Sequence, residues 1–269
     1  GTNAFLTVRL NGAAPGPNGV DVSLTTGSGA ISLPPTVTVD PGNLEQTFVI
    51  PTNAVDVTTG VTIFGQVGAG DIRTATFTVA VPIAASVSVA PNPVQGGTNT
   101  TGTVNLSGPA GPSGVPVQLS TSASTVATTP VSVIVAPGST SANFTINTST
   151  VANVALVSIR ASRYNVATAP LTVLPVPMTS LTLSPTTVKG GKKSTGTVVI
   201  ASALSVPYTV ELSSSNEAIA TVPFTVTILP GKTSAKFFVT TVRPPANTVV
   251  TITATKGLQQ LSQNLTVRR

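Results

Sequence analysis

The sequence predicts an all-β protein: three tandem immunoglobulin-like, seven-stranded antiparallel sandwiches, the first lacking its N-terminal strand. Three observations point to this class. One pattern of words recurs three times along the chain. Inside each recurrence apolar and polar residues alternate with the period of a strand that buries one face. Between the alternating runs stand Gly, Pro, Ser and Asn, and no run keeps a 3.6-residue period, so helices are not expected.

The recurrence sets the frame. "SVSVAPNPVQGGTNTTGTVNL" at 86–106 returns as "SLTLSPTTVKGGKKSTGTVVI" at 180–200. "VQLSTSASTVATTP" (117–130) returns as "VELSSSNEAIATVP" (210–223), and "APGSTSANFTINT" (136–148) as "LPGKTSAKFFVTT" (229–241). In the first part of the chain Val22 and Leu24 align with Val117 and Leu119, "DPGNLEQTFVIPT" with "APGSTSANFTINT", and "FTVA" with "LTVL". The expected units are 1–82, 83–176 and 177–269.

Taken in order, the inward sets of the second unit are Val87 and Val89; Val104 and Leu106; Val117 and Leu119; Val131, Val133 and Val135; Ala142, Phe144 and Ile146; Val157, Ile159 and Ala161; Leu171 and Val173. The third unit repeats them as Leu181 and Leu183; Val198 and Ile200; Val210 and Leu212; Phe224, Val226 and Ile228; Ala235, Phe237 and Val239; Val250, Ile252 and Ala254; Leu265 and Val267. Seven short strands with evenly spaced turns describe a two-sheet sandwich. With no Cys to bridge the sheets, the Phe slot (Phe48, Phe144, Phe237) is expected to supply the large central side chain.

"LSSSNEAIATV" followed by "VTITAT" and a closing "LTV" resembles the bacterial immunoglobulin-like repeats that occur in tandem in large surface proteins, adhesins and invasin-type stalks. The resemblance spans all three units. It implies an extracellular or cell-surface, often rod-forming role and brings no catalytic residues with it. The Trp frequent on the third strand of such domains is absent here, its neighbourhood being taken by Val210 and Leu212.

Composition narrows the chemistry. Only 7% of residues are charged, against about 25% in an ordinary soluble domain, and the chain has no His and no Cys. Those are the side chains that most often move protons or attack carbonyls near neutral pH, so no enzyme, no catalytic residue and no cofactor are expected. The second unit has no carboxylate, and neither "VAVPIAAS" nor "VLPVPMTS" between units offers one. Calcium needs six to eight oxygens, so no metal is expected; a single ion in the first unit would have to draw on Asp21, Asp40 or Asp56. "KGGKKST" at 189–195 lacks the first Gly of a phosphate loop, which is Thr186, and "GQVGAG" at 65–70 reverses the dinucleotide spacing. Both read as turns. Asn99, Asn105, Asn143, Asn147 and Asn264 begin N-x-S/T triplets, no more than a Ser/Thr-rich chain contains by chance. No apolar run is long enough for a transmembrane segment.

Charge is graded along the chain. The first unit carries two Arg against five acids, the second two Arg, and the third nine basic residues against two acids, within a net charge of +6. Nucleic acid is not expected, because the alternation assigns Phe224 and Phe237 to the core and leaves few aromatics beside the basic residues. The basic residues read first as a solvated face, and next as a surface for an acidic polymer or an acidic neighbouring copy of the protein.

Gly1 aligns with Gly97, so the first unit has no counterpart of "AASVSVAPNPVQG" at 84–96. Either "FLTVRL" or "TATFTV" is expected to carry an unpaired edge over uncovered core. The missing strand belongs to a longer tandem protein or comes from another polypeptide by β-augmentation. Candidate assembly contacts are therefore Phe5, Thr7 and Arg9 on the edge strand, and Lys189, Lys192, Lys193, Arg268 and Arg269 at the basic end. The functional expectation is a semi-rigid spacer, stalk or filament component, the proline-containing connections around Pro82, Pro175 and Pro177 giving stiff joints. The alternative is an adhesin or ligand-binding module, or the accessory domains of a secreted enzyme.

Overall fold

The computed structural model describes residues 1–269 and consists of strands and turns, without a helix. The first sandwich contains β1 (Asn3–Arg9), β2 (Val20–Thr25), β3 (Thr36–Val39), β4 (Glu45–Pro51), β5 (Thr59–Gln66) and β6 (Arg73–Val79). The second contains β7 (Ala84–Ala90), β8 (Val94–Gln95), β9 (Thr100–Leu106), β10 (Val115–Thr121), β11 (Ala127–Thr128), β12 (Ser132–Val135), β13 (Ser141–Thr148), β14 (Ala155–Ser162) and β15 (Val166–Leu174). The third contains β16 (Met178–Ser184), β17 (Thr187–Lys189), β18 (Lys193–Ile200), β19 (Tyr208–Ser214), β20 (Ala220–Thr221), β21 (Thr225–Ile228), β22 (Ser234–Thr241), β23 (Thr248–Lys256) and β24 (Gln259–Arg268).

The second and third sandwiches share one topology. One sheet runs β11-β13-β9-β7 and the other β12-β10-β14-β15-β8; the third sandwich repeats this as β20-β22-β18-β16 and β21-β19-β23-β24-β17. The first sandwich retains the middle of both sheets, as β1-β4 and β3-β2-β5-β6. The immunoglobulin-like sandwich is therefore complete twice and short of its leading strand once.

Two features refine the seven-strand count. Short β11 and β20 add a rung beside β13 and β22. The leading strand of each complete sandwich is also split between the two sheets: β7 pairs antiparallel with β9, then β8 pairs parallel with β15, and β16 and β17 do the same with β18 and β24. Proline causes the split. Pro91 and Pro93 in one case and Pro185 in the other have no N–H for a ladder, so the strand stops and the chain crosses to the opposite sheet. Buried hydroxyls latch the crossing: Thr100 Oγ1 donates to Pro91 O at 2.7 Å and Ser194 Oγ to Pro185 O at 2.7 Å. Asn92 pins it on the other side, donating to Pro170 O and accepting from Thr172 N.

Buried apolar residues form three separate clusters, of 8, 20 and 21 residues in chain order, so the first core is less than half the size of the others. Each fully buried Val, Leu or Ile contributes about 1.5–3 kcal/mol. The central Phe lies over a glycine of the facing strand: Phe144 is opposite Gly102 and Phe237 opposite Gly196, and a Cβ on either glycine would stand inside the ring. In the first sandwich Leu6 occupies the glycine position opposite Phe48, which is only half-buried.

Most of the expected inward residues face the cores. Val131 and Phe224 do not, being 80% and 79% exposed. Both stand just before β12 and β21, where only the backbone turns inward to accept, from Leu119 N and Leu212 N respectively. The alternation runs one step past the end of the ladder at these two positions, and Phe224 is a surface aromatic, not a core residue.

Candidate functional site

Two kinds of surface stand out: the joints between sandwiches and the open side of the first one. At each joint the same loop, between the fourth and fifth main strands of one sandwich as numbered from β1, meets the entry end of the next. In the first joint Asp56 accepts from Ser113 N at 3.1 Å and Ser113 Oγ at 2.7 Å. Gly111 lies so close to Val55 and Asp56 that any side chain there would collide with them. Ile83 and Ser107 are joined backbone to backbone at 3.0 Å, and Ser107 Oγ accepts from Ile83 N.

In the second joint the equivalent loop supplies Val151, Ala152 and Asn153. Val151 O accepts from Val176 N, Ala152 packs against the third core, and Lys256 Nζ donates to Asn153 Oδ1 at 2.8 Å. Val176 itself belongs to the third core. Its carbonyl accepts the buried Tyr208 hydroxyl at 2.9 Å, and Lys256 Nζ sits 5.0 Å from the Tyr208 ring centroid. Desolvation lowers the Lys256 pKa, with Glu211 acting in the opposite direction, and burial raises that of Tyr208. Gln259 closes the joint by bonding both the N–H and the C=O of Met178. Alternation alone does not single out Tyr208; the available signal is a tyrosine at the apolar head of a strand, a position that asks for a hydroxyl partner.

The predicted contact residues fall into two groups. Phe5, Thr7 and Arg9 lie on the outer, solvent-facing side of β1, with Phe5 74% exposed and Thr7 Oγ1 2.7 Å from Thr47 Oγ1. Lys189, Lys192, Lys193, Arg268 and Arg269 gather with Arg243 at the exit end of the third sandwich. Lys189 is in register with Arg268, Gly190 packs on Arg243 and bonds Arg268 O, and Lys192 O accepts from Thr241 Oγ1. Lys193 Nζ lies 5.4 Å from the ring centroid of exposed Phe238. The two groups belong to opposite ends of the chain. Asp21 is engaged by Thr38 Oγ1 at 2.6 Å and Asp56 by Ser113, and no three acidic residues converge on a cation-sized space.

The open side of the first sandwich is a groove of about 310 Å³ between β1 and β6. Leu6, Val8, Val22, Leu24, Ile63 and Ala75 line it. Val8 is half-buried, whereas its counterparts Val104 and Val198 are fully buried beneath β7 and β16. Both edges are free: β1 pairs only with β4 and β6 only with β5.

No protein-family profile matches the chain, and no characterised protein matches it in sequence. Among solved structures it is similar to invasin, a bacterial integrin-binding protein, at 16% identity and a TM-score of 0.44, covering 98% of this chain and 60% of that one. It is similar to the D0-D1 domain of intimin at 13% identity and a TM-score of 0.30, covering 70% and 100%. An I-band fragment of titin aligns at 8% identity and a TM-score of 0.34, covering 100% and 93%. The immunoglobulin-like assignment itself rests on the strand order and registers of the three sandwiches. No helix is long and apolar enough to cross a membrane.

Proposed function

We propose that the chain is a semi-rigid spacer, stalk or filament component at a cell surface or outside the cell, made of bacterial immunoglobulin-like units with limits at 1–82, 83–176 and 177–269. One observation carries this reading: the loop holding Val55 and Asp56 and the equivalent loop holding Val151 to Asn153 each dock on the following sandwich, through side-chain hydrogen bonds as well as the covalent linker. A repeated, bonded joint limits bending where a Gly/Ser linker would allow it. Cores that remain separate on either side let each unit fold by itself. Length is then the property delivered. The lack of His and Cys, and of any acid in the middle unit, favours this reading over a catalytic one.

Small-angle scattering tests the reading. A sandwich of seven-residue strands plus turns spans roughly 35–45 Å, so three in line make a rod of about 120 Å with a radius of gyration near 35 Å. A compact 269-residue globule would give about 18 Å. A value near the lower figure rejects the spacer.

A further inference from the structure

We propose that the outer face of the second sandwich, centred on Tyr164, is a docking surface for a polypeptide partner that presents apolar side chains beside carboxylates. Three equivalent rows of residues, one in each sandwich, show what is particular to this place. In the first sandwich Thr38 faces Asp21, and the register of Ser23 with Gln66 brings Gly68 alongside. In the third Thr227 faces Thr209, and the register of Glu211 with Thr255 brings Gly257 alongside. Both rows are polar and satisfied on the sheet: Thr38 Oγ1 donates to Asp21 at 2.6 Å, and the Thr209 and Thr227 hydroxyls lie 3.2 Å apart. The middle row is Ile134, Pro116 and Tyr164. Ile134 and Tyr164 are 66% and 74% exposed, and exposed Val166 continues the patch on the next strand. The second sandwich has a neighbour at each end, so this face is not one that the adjoining sandwich in the chain would cover.

Backbone geometry sets Tyr164 apart as well. The turn position it occupies has φ +53° at Gly68 and +59° at Gly257, and Tyr164 keeps φ +56°, the one non-glycine residue of the chain with positive φ. Glycine adopts this conformation freely, whereas an L side chain there is strained. Such strain persists where a function needs the side chain. The turn is also held rigid: Ala84 N donates to Arg163 O at 3.1 Å, and Arg163 N to Asn165 O at 3.0 Å. One face of the Tyr164 ring lies on the Arg163 guanidinium, 4.6 Å from the ring centroid, and a fixed aromatic of this kind loses little entropy on binding.

Charge defines the partner. Arg160 and Arg163 are the only charged residues of 83–176 and belong to this sheet, Arg160 standing outward in register with Ser120 and Thr168. Neither has a carboxylate partner, and Arg163 Nε is buried without a hydrogen bond. A partner's Asp or Glu supplies the missing acceptor. Ile134, Pro116 and Val166 gain only by being covered with apolar side chains, which a polypeptide has and an acidic polysaccharide lacks. None of the three larger cavities reaches the patch, so the surface is flat, as suits a protein contact centred on Tyr and Arg. The inference is independent of the spacer reading, because scattering measures the joints and the experiment below measures one face of the middle sandwich.

The probe is a phage-displayed library of random 12-residue peptides selected on the full chain. The enriched peptide is then made with a fluorescein label and titrated into the full chain, its Tyr164→Gly variant and its Ile134→Thr variant. Each substitution installs a residue that another sandwich of this chain carries at the same place, so folding is retained. The expected result is a consensus with Leu, Ile or Phe next to Asp or Glu, binding at least tenfold weaker to either variant, and slowed amide exchange confined to Val115–Thr121, Ser132–Val135 and residues 163–166. Tyr164→Gly should meanwhile raise the melting temperature of the second sandwich by about 2–5 °C, binding being lost while strain is relieved. No enrichment, a consensus without acids, or equal binding to both variants overturns the proposal. A lower melting temperature for Tyr164→Gly also overturns it, since the tyrosine then serves stability. So does tighter binding of hexagalacturonate than of the peptide at the same residues, for the occupant is then an acidic polysaccharide.

Discussion

Single side chains decide how tightly each core and joint closes. Tyr208 is buried at the second joint with its hydroxyl on Val176 O. Replacing it by Phe leaves that buried carbonyl unpaired, and we expect Tyr208→Phe to destabilise the third sandwich by about 1–3 kcal/mol in denaturant unfolding. The same residue gives an alkaline limit. Its folded pKa is raised, so the folded state keeps the proton longer than the unfolded state. The stability it contributes is whole below the ordinary tyrosine value of about 10 and is lost as pH climbs from there through the folded pKa. Tyr208→Phe should flatten the fall in stability over that window, seen by comparing melting of the two proteins from pH 9 upward. Glycine matters for the opposite reason at Gly102 and Gly196, where the Phe ring occupies the place of a side chain. Gly196→Ala should cost about 1–3 kcal/mol by overpacking. Gly102→Ala should behave alike, and an unchanged midpoint in either variant would show that the ring can move aside freely.

At the scale of the strand, the split first element separates the complete sandwiches from the incomplete one. It covers the side of the core between two sheets and supplies both with an outer partner. Within these 269 residues the first sandwich has no such element, so two edges, β1 and β6, are unpaired, where the sequence alone suggested one or the other. Calorimetry of the intact chain should show the first sandwich melting at the lowest temperature, with amides of β1 and β6 exchanging fastest among the main strands. Coincident melting of all three would contradict this. That the first unit enters its frame one strand late was legible in the sequence because Gly1 falls in register with Gly97. The crossing between sheets was not, although its cause was in view at Pro91, Pro93 and Pro185: proline says where a ladder must stop, and only the neighbouring sheet says where the chain goes next.

Across the whole molecule, charge is segregated end to end. Asp21, Asp40, Glu45 and Asp71, with Arg9 and Arg73 among them, lie toward the entry end of the first sandwich, while six basic side chains and one acid, Glu217, cluster at the exit end of the third. Within the chain each exit end already docks on an entry end, so a head-to-tail contact between copies would repeat an existing direction with complementary charge. We expect self-association in analytical ultracentrifugation at about 10 mM salt, weakening at about 150 mM as the screening length falls from roughly 30 to 8 Å. Association indifferent to salt would assign the contact to something other than charge. Arg73 and Asp71 form the one ion pair, at 3.8 Å and almost fully exposed, which contributes little to stability.

What the sequence determined by itself was whatever depends on local period and recurrence. The alternation of Val157, Ile159 and Ala161, or of Val250, Ile252 and Ala254, defines a strand and its buried face because successive side chains must point to opposite sides of a sheet. The repetition of whole words defined how many such sandwiches there are. Tertiary structure alone decided the rest. It turned Val131 and Phe224 outward at the end of a ladder, drew Tyr208 and Lys256 into a joint, and brought Asp56 to Ser113. It also left a groove beside Leu6 and Val8. Each of these depends on which distant segment arrives next to a residue. A contact between positions 57 or 103 apart in the chain, as at Asp56 and Ser113 or Asn153 and Lys256, leaves no periodic trace in either partner.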